Sequence, residues 1–98
     1  MNEKQFCVYI MASRKGGALY IGVTSDLVKR VYEHRNKAIE SFTKQYNIKR
    51  LIYFEMHDSA EAAILRETQM KAWKRKWKVE LIEKENKDWN DLYETIIG

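Results

Sequence analysis

A chain of 98 residues that is 45% apolar and 12% aromatic can fold as one domain over 1–98, but its core is small, so a ligand is expected in a shallow groove rather than a deep pocket. The lone cysteine, Cys7, excludes an internal disulfide framework, and no run approaches the roughly 18 apolar residues needed to span a bilayer. The net charge of +4 is mild but unevenly placed: Arg66, Lys71, Lys74, Arg75, Lys76 and Lys78 face one acid, Glu67, whereas Glu80, Glu83, Glu85, Asp88, Asp91 and Glu94 dominate positions 80 to 98.

A basic block beside an acidic stretch suits an oriented surface for a polyanion, or equally a solvated helix face with ordinary charge pairs. Met1-Asn2-Glu3-Lys4 lacks the apolar stretch of a secretory signal, so a cytoplasmic address is expected, with no membrane among the partners.

In chain order, Phe6 to Ala12 is β-branched and aromatic and reads as a buried strand, with Cys7 a small buried thiol inside it. Ser13 to Gly17 is a turn, and Ala18 to Val23 a second strand completing an antiparallel hairpin. Thr24-Ser25-Asp26 offers a helix cap, followed by a helix from about Asp26 to Ala38 with Leu27, Val31 and Ala38 as its apolar stripe, widened by Val28 and Tyr32. Ile39 to Asn47 is expected as a loop and Lys49 to Met56 as a third strand.

Asp58 and Glu61 stand at capping-box spacing before a second helix that reaches Trp73 or Arg75, with a third from Lys76 to Glu85. Trp89 to Ile97 is a short terminal helix or a docked tail. The order β-β-α-β-α-α implies an α+β domain with a three-stranded antiparallel sheet flanked by helices.

Seven positions sit awkwardly in this plain picture. Glu67 falls at the edge of the side of the second helix marked by Ala60, Ala63, Ile64, Met70 and Trp73. A carboxylate there needs a partner: a salt bridge to Arg66 or Lys71, or a metal. Arg30 and His34, at i and i+4, share one helix face beside Leu27 and Val31; alone they read as solvated surface residues. Tyr9 and Tyr20, one on each hairpin strand, read as packing residues, although phenols can also hydrogen-bond a phosphate or a water. Trp73 and Trp77, at i and i+4 among lysines, read as core anchors, and alternatively as stacking platforms for a single strand.

The order of these residues is more telling than any one of them. Val8-Tyr9-Ile10, then Tyr20-Ile21-Gly22, Arg30 eight residues on, His34 four further and Glu67 on a later helix resemble the GIY-YIG nuclease family, in particular its small, free-standing bacterial members. The likeness runs from Phe6 to Trp89 and is most specific from Tyr20 to Leu27 with Arg30 and His34. The first tripeptide departs from the family's letters, reading Cys7-Val8-Tyr9, but keeps the tyrosine. Asn86 corresponds to the family's downstream asparagine.

The resemblance implies a metal-dependent endonuclease acting on phosphodiester bonds. Glu67 would hold one Mg²⁺ or Mn²⁺, and Arg30 would clamp the phosphate oxygens. Tyr9 would orient or deprotonate the attacking water, with Tyr20 and His34 in support. With no separate DNA-recognition domain in the chain, single-stranded or branched DNA is expected over long duplex, with RNA as the alternative. The candidate grip is Lys15, Lys44, Tyr46, Lys71, Lys74, Arg75, Lys76 and Lys78. Two rivals stand beside this reading: a non-catalytic nucleic-acid-binding module of the same fold, and a protein-interaction domain using Trp73, Trp77 and Trp89.

Overall fold

The computed structural model describes residues 5–36 and 44–98. The hairpin consists of β1 (Phe6–Ala12) and β2 (Leu19–Thr24), followed by helix α1 (Leu27–Asn36) and strand β3 (Arg50–His57). Three helices complete the described chain: α2 (Ala60–Ala72), α3 (Arg75–Glu85) and the one-turn α4 (Tyr93–Ile97). The sheet is antiparallel throughout, in the order β2-β1-β3. The expected α+β architecture with a three-stranded antiparallel sheet is the one observed.

The central strand β1 is buried almost from end to end, and its alternating side chains feed two separate cores. Val8, Ile10 and Ala12 join Ile21, Ile52, Ala63, Met70, Ile82 and Trp89 on the face covered by α2 and α3. Cys7, Tyr9 and Met11 join Val31, Ile48 and Leu51 on the opposite face, under α1 and α4. A register shift between Ile10 and Met11 opposes them to Tyr53 and Leu51, leaving Ile52 as the extra residue of a β-bulge. That bulge sends both Ile52 and Tyr53 to the α2–α3 face.

Local chemistry sets the element boundaries. Gly16 takes a positive φ of 73° in the hairpin turn, which is closed by Gly17 N–H donating to the Arg14 carbonyl at 2.9 Å. Asp26 caps α1 by accepting from Lys29 N–H at 3.2 Å. At α2 the capping group is Ser59, which accepts from Ala62 N–H at 3.1 Å; the expected pairing of Asp58 with Glu61 lies one residue too early. Trp73 and Lys74 are both extended, with ψ of 151° and 148°, and they break α2 from α3 without glycine or proline.

Residues 86–93 stitch the chain's end to the edge strand. Asn86 donates from Nδ2 to the Ile52 and Asn90 carbonyls, both at 2.9 Å, and accepts from Asn90 N–H at 3.0 Å. Leu92 N–H donates to the Leu51 carbonyl at 2.7 Å, while Asp91 accepts from Leu51 N–H and forms an ion pair with Arg35. Trp89, with φ of 56°, is held by Arg50, which donates to its carbonyl, and by its own indole N–H bonded to Glu83. These contacts cover an edge that would otherwise expose unpaired backbone groups.

The apolar stripe of α1 is narrower than expected. Val31 is buried and Leu27 half-buried, but Val28 and Tyr32 face solvent, and Ala38 lies outside the described residues, as do 39–43 of the expected loop. Among the described residues no helix is long and apolar enough to cross a membrane.

Candidate active site

Tyr9 and Tyr20 lie on neighbouring strands, both directed to the α1 face. Tyr9 is directly opposite Gly22, the glycine that ends Tyr20-Ile21-Gly22. A Cβ built on Gly22 would stand 2.5 Å from the Tyr9 hydroxyl oxygen and 2.6 Å from its Cζ. Gly22 is therefore the recess in which the phenol lies, a role the sequence marks only through register: opposite residues on one face.

His34 comes in from α1. Its Nε2 is 3.0 Å from the Tyr9 hydroxyl in a buried hydrogen bond, and both residues are 1% exposed. Tyr20 closes the group, its ring centroid 5.1 Å from that of His34 and 6.3 Å from that of Tyr9. The expectation of a solvated His34 is thus wrong: α1 is rotated so that Val31 and His34 point inward together. Three and four residues apart are one face of a helix, and this face meets the sheet.

Arg30, one turn before His34, stays half-buried at the rim and pairs loosely with Glu33, Nε to Oε1 3.6 Å. Arg30 helps line a groove of about 290 Å³ with Phe6, Val23, Thr24, Ser25, Ala60 and Ile64. This groove brings the start of α1 and the first half of α2 to one opening around the β2 edge. Glu67 lies three residues beyond Ile64 on α2, its side chain 16% exposed and its Oε2 3.1 Å from Lys71 Nζ. Of the partners open to Glu67, the structure displays the i,i+4 salt bridge.

Tyr9, Tyr20 and His34 are thus assembled into one contact group, with Arg30 one turn before His34 on the same helix. Glu67 stands on the helix packed against the other face of the sheet. A single half-sheltered carboxylate is a hard oxygen donor suited to Mg²⁺ or Mn²⁺, which fill their remaining positions with water and substrate oxygens. No group of three or more metal-ligating side chains occurs among the described residues.

The candidate grip residues are spread over several tasks. Lys15 pairs with Asp88 at 3.8 Å. Arg75 donates to the Gly16 and Gly17 carbonyls at 3.1 and 2.7 Å, pinning the hairpin turn to the start of α3. Lys78 donates to the Lys71 carbonyl at 3.4 Å, and Lys74 lies over the Trp77 ring. Lys44, Tyr46 and Lys76 are exposed. Asn86 is a tether between α3 and β3. Of the tryptophans, Trp89 is buried and Trp73 packs against the core, whereas Trp77, expected as a core anchor, is 49% exposed.

A second polar group escaped the sequence reading. Tyr53, Glu55 and His57 alternate along β3 and share one face. Glu55 accepts from Tyr53 at 2.6 Å and from Arg66 at 2.9 and 3.2 Å, with His57 Nε2 at 2.6 Å. Burial acts to raise the Glu55 pKa, but the hydrogen bonds of Arg66, Tyr53 and His57 outweigh it and hold the carboxyl below the usual carboxylate range. Burial first, then the hydrogen bond to Glu55, raises the Tyr53 phenol. The period-two spacing of Tyr53, Glu55 and His57 was the available signal. Cys7 is buried, and desolvation pushes its thiol up to about 12.

Known proteins share the sequence pattern and the fold. The chain matches the family model described as the GIY-YIG catalytic domain over residues 5–89. It is 36% identical over 75 residues to a UPF0213 protein of Staphylococcus saprophyticus, covering 76% of this chain and 90% of that one. To a UPF0213 protein of Haloquadratum walsbyi it is 31% identical over 83 residues, covering 85% and 91%. The solution NMR structure of a UPF0213 protein from Bacillus halodurans superposes with a TM-score of 0.56 at 25% identity, over 89% of this chain and 92% of that one. With the family's domain spanning both the tyrosine hairpin and the glutamate helix, the chain belongs to the GIY-YIG nuclease family.

Proposed function

We propose that this chain is a divalent-metal-dependent endonuclease that hydrolyses phosphodiester bonds in single-stranded or branched DNA, with RNA as the alternative substrate. The observation that carries the reading is the buried hydrogen bond between Tyr9 and His34, with Tyr20 packed over it and Arg30 one turn away. A polar pair in an apolar core costs stability unless it is hydrogen-bonded, and this one is in ring contact with Tyr20, the more exposed of the two hairpin tyrosines.

Burial redistributes the roles that the resemblance implied. Tyr9, at 1% exposure, is positioned behind the site, whereas Tyr20 is half-buried and can meet a substrate-bound water. In this proposal Tyr20 orients the water for in-line attack, while Tyr9 and His34 fix the Tyr20 ring and exclude solvent behind it. Arg30 exchanges its loose contact with Glu33 for the phosphate's non-bridging oxygens, where a guanidinium fork fits best. A free phenol with a pKa of about 10 is a poor base at neutral pH, so in this proposal Tyr20 acts with a cationic group brought up with the substrate, Arg30 being the candidate. A divalent ion held by Glu67 would supply charge stabilisation for the phosphate and the leaving oxygen.

The non-catalytic binding reading has an observation of its own: Glu67 and Arg30 are each already paired, with Lys71 and Glu33. The deciding experiment is cleavage of labelled single-stranded, duplex and branched DNA and of RNA, with Mg²⁺, Mn²⁺ or chelator. Metal-dependent cutting that Glu67→Ala abolishes, with the melting temperature and nucleic-acid affinity retained, supports catalysis. Undiminished cutting by Glu67→Ala would sink the assignment, and binding without cutting by the wild type would favour the binding module.

A further inference from the structure

We infer that the outer face of α3 carries a stacking pocket for one unpaired nucleobase of the substrate strand, built on Trp77. The inference rests on the nuclease reading above and specifies its substrate as one with an extruded or single-stranded base beyond the cleavage site. Trp77 is 49% exposed in a protein whose other two tryptophans are packed into or against the core. With Trp73, Glu80, Leu81 and Lys84 it lines an open groove of about 470 Å³, enough for a planar base and its sugar. One wall is aromatic and aliphatic, as base faces require, and the rim is charged.

The charge pattern selects the occupant. Lys84 lines the groove, and the Lys74 ammonium is 5.7 Å from the Trp77 ring centroid. An apolar peptide side chain would gain nothing from the ammonium groups of Lys74 and Lys84, whereas a nucleotide offers a π face for the indole and phosphates for these two lysines. Glu80 at the rim can accept from the exocyclic amino group of cytosine or adenine, which adds a preference without excluding other bases. Duplex DNA keeps its bases stacked inside and cannot fill this pocket.

The pocket is also within reach of the candidate active site. From Glu67 the chain runs through the rest of α2, the two extended residues Trp73 and Lys74, and the first turn of α3. That backbone path spans at most about 19 Å, a length that a few nucleotides of extended strand cover.

The test is a binding titration of wild type, Trp77→Ala and Trp77→Phe with a short oligodeoxycytidine, an abasic strand of the same length, and a duplex. Wild type should bind the base-bearing strand more tightly than the abasic one. Trp77→Ala should lose about tenfold on the base-bearing strand and less than about twofold on the abasic strand and the duplex, with Trp77→Phe close to wild type. Unfolding by urea checks that the substitution, at an exposed position, leaves the fold intact. Unchanged affinity of Trp77→Ala for the base-bearing strand, or equal loss on all three ligands, would overturn the pocket while leaving cleavage and the nuclease reading standing. A wild type that binds none of the three would overturn both, and cleavage assays on the same strands tell these failures apart.

Discussion

Gly22→Ala is the most incisive perturbation of this site, because its cost is set by a single neighbouring side chain. Gly22 does not adopt a positive φ, so alanine is compatible with the backbone, and the obstacle is the Tyr9 ring. The new methyl would lie 2.5 Å from the hydroxyl oxygen, 2.6 Å from Cζ and 2.9 Å from Cε1, separations that force the ring to move. Tyr9 is fully buried and bonded to His34, so movement compresses the core and breaks that bond. Overpacking costs about 1–3 kcal/mol and a buried hydrogen bond about 1, against a gain of about 0.5–1 from replacing a strand glycine. The net loss is about 1–3.5 kcal/mol, or roughly 5–17 °C in melting temperature for a domain of this size. The assay is a double-mutant cycle by urea unfolding with Tyr9→Leu, which removes all three clashing atoms and keeps the site apolar. In that background Gly22→Ala should cost less than about 0.5 kcal/mol or become stabilising. An equal cost in both backgrounds would show that the glycine serves something other than the Tyr9 ring.

Tyr20→Phe should abolish most cleavage with a stability change within about 0.5 kcal/mol, whereas Tyr9→Phe should lose about 1–3 kcal/mol by stranding His34 Nε2 and retain more activity; the reverse ranking in single-turnover assays would return the water-facing role to Tyr9. Arg30→Ala and Arg30→Lys should both lower the single-turnover rate, the former by about 10²–10³-fold if the guanidinium stabilises charge in the transition state; a loss confined to substrate affinity would reduce Arg30 to a binding contact. Glu55 is lowered in the folded state, so its contribution to stability is full above its unfolded pKa and disappears as pH falls through the folded one. Urea unfolding should therefore show a loss of stability on the acid side of the ordinary value of 4.5, and Arg66→Met should flatten that limb; an unaltered limb would place the acid sensitivity elsewhere. Cys7, buried and pushed up to about 12, should resist a thiol reagent at pH about 8 in the native protein and react fully in urea; prompt native labelling would contradict its burial.

The hairpin and the glutamate helix were legible because their signals are local. Strand β1 falls at Phe6–Ala12 as expected, since an unbroken apolar run around a turn with paired glycines has few other ways to fold. His34 was not legible from its own neighbourhood: polar residues flank it, and only Tyr9, 25 positions away, gives the imidazole a reason to turn inward. The same holds for Gly22, whose need for a missing side chain comes from the residue across the ladder. Asn86 and Asp91 likewise act through β3 rather than through their own segment. Trp77 failed for the opposite reason. Its i,i+4 relation to Trp73 presumes one continuous helix, but the extended pair Trp73–Lys74 resets the phase before α3 begins.

That break bears on how the two halves of the site can be coupled. Tyr9, Tyr20 and His34 belong to one sheet face and α1, whereas Glu67 belongs to α2 on the other. What joins them is the β2 edge, where Arg30 from α1 and Ala60 and Ile64 from α2 share a groove. Each helix is independently anchored: α2 by Arg66 on Glu55, α1 through Arg35 on Asp91. A substrate phosphate drawn to Arg30 and to an ion at Glu67 would therefore bridge two rigidly held elements rather than order a loose one. The polar anchors at Glu55 and Asp91 then matter to function without touching substrate. Loosening Glu55–Arg66 should disturb the Glu67 half of the site before the tyrosine half. Arg66→Met, already needed for the acid limb, carries that second reading: weaker metal dependence of cleavage with the Tyr9–His34 contact intact is the expected outcome. A variant that keeps full metal response would show that α2 is held in place by its apolar face, Ala63 and Met70, alone.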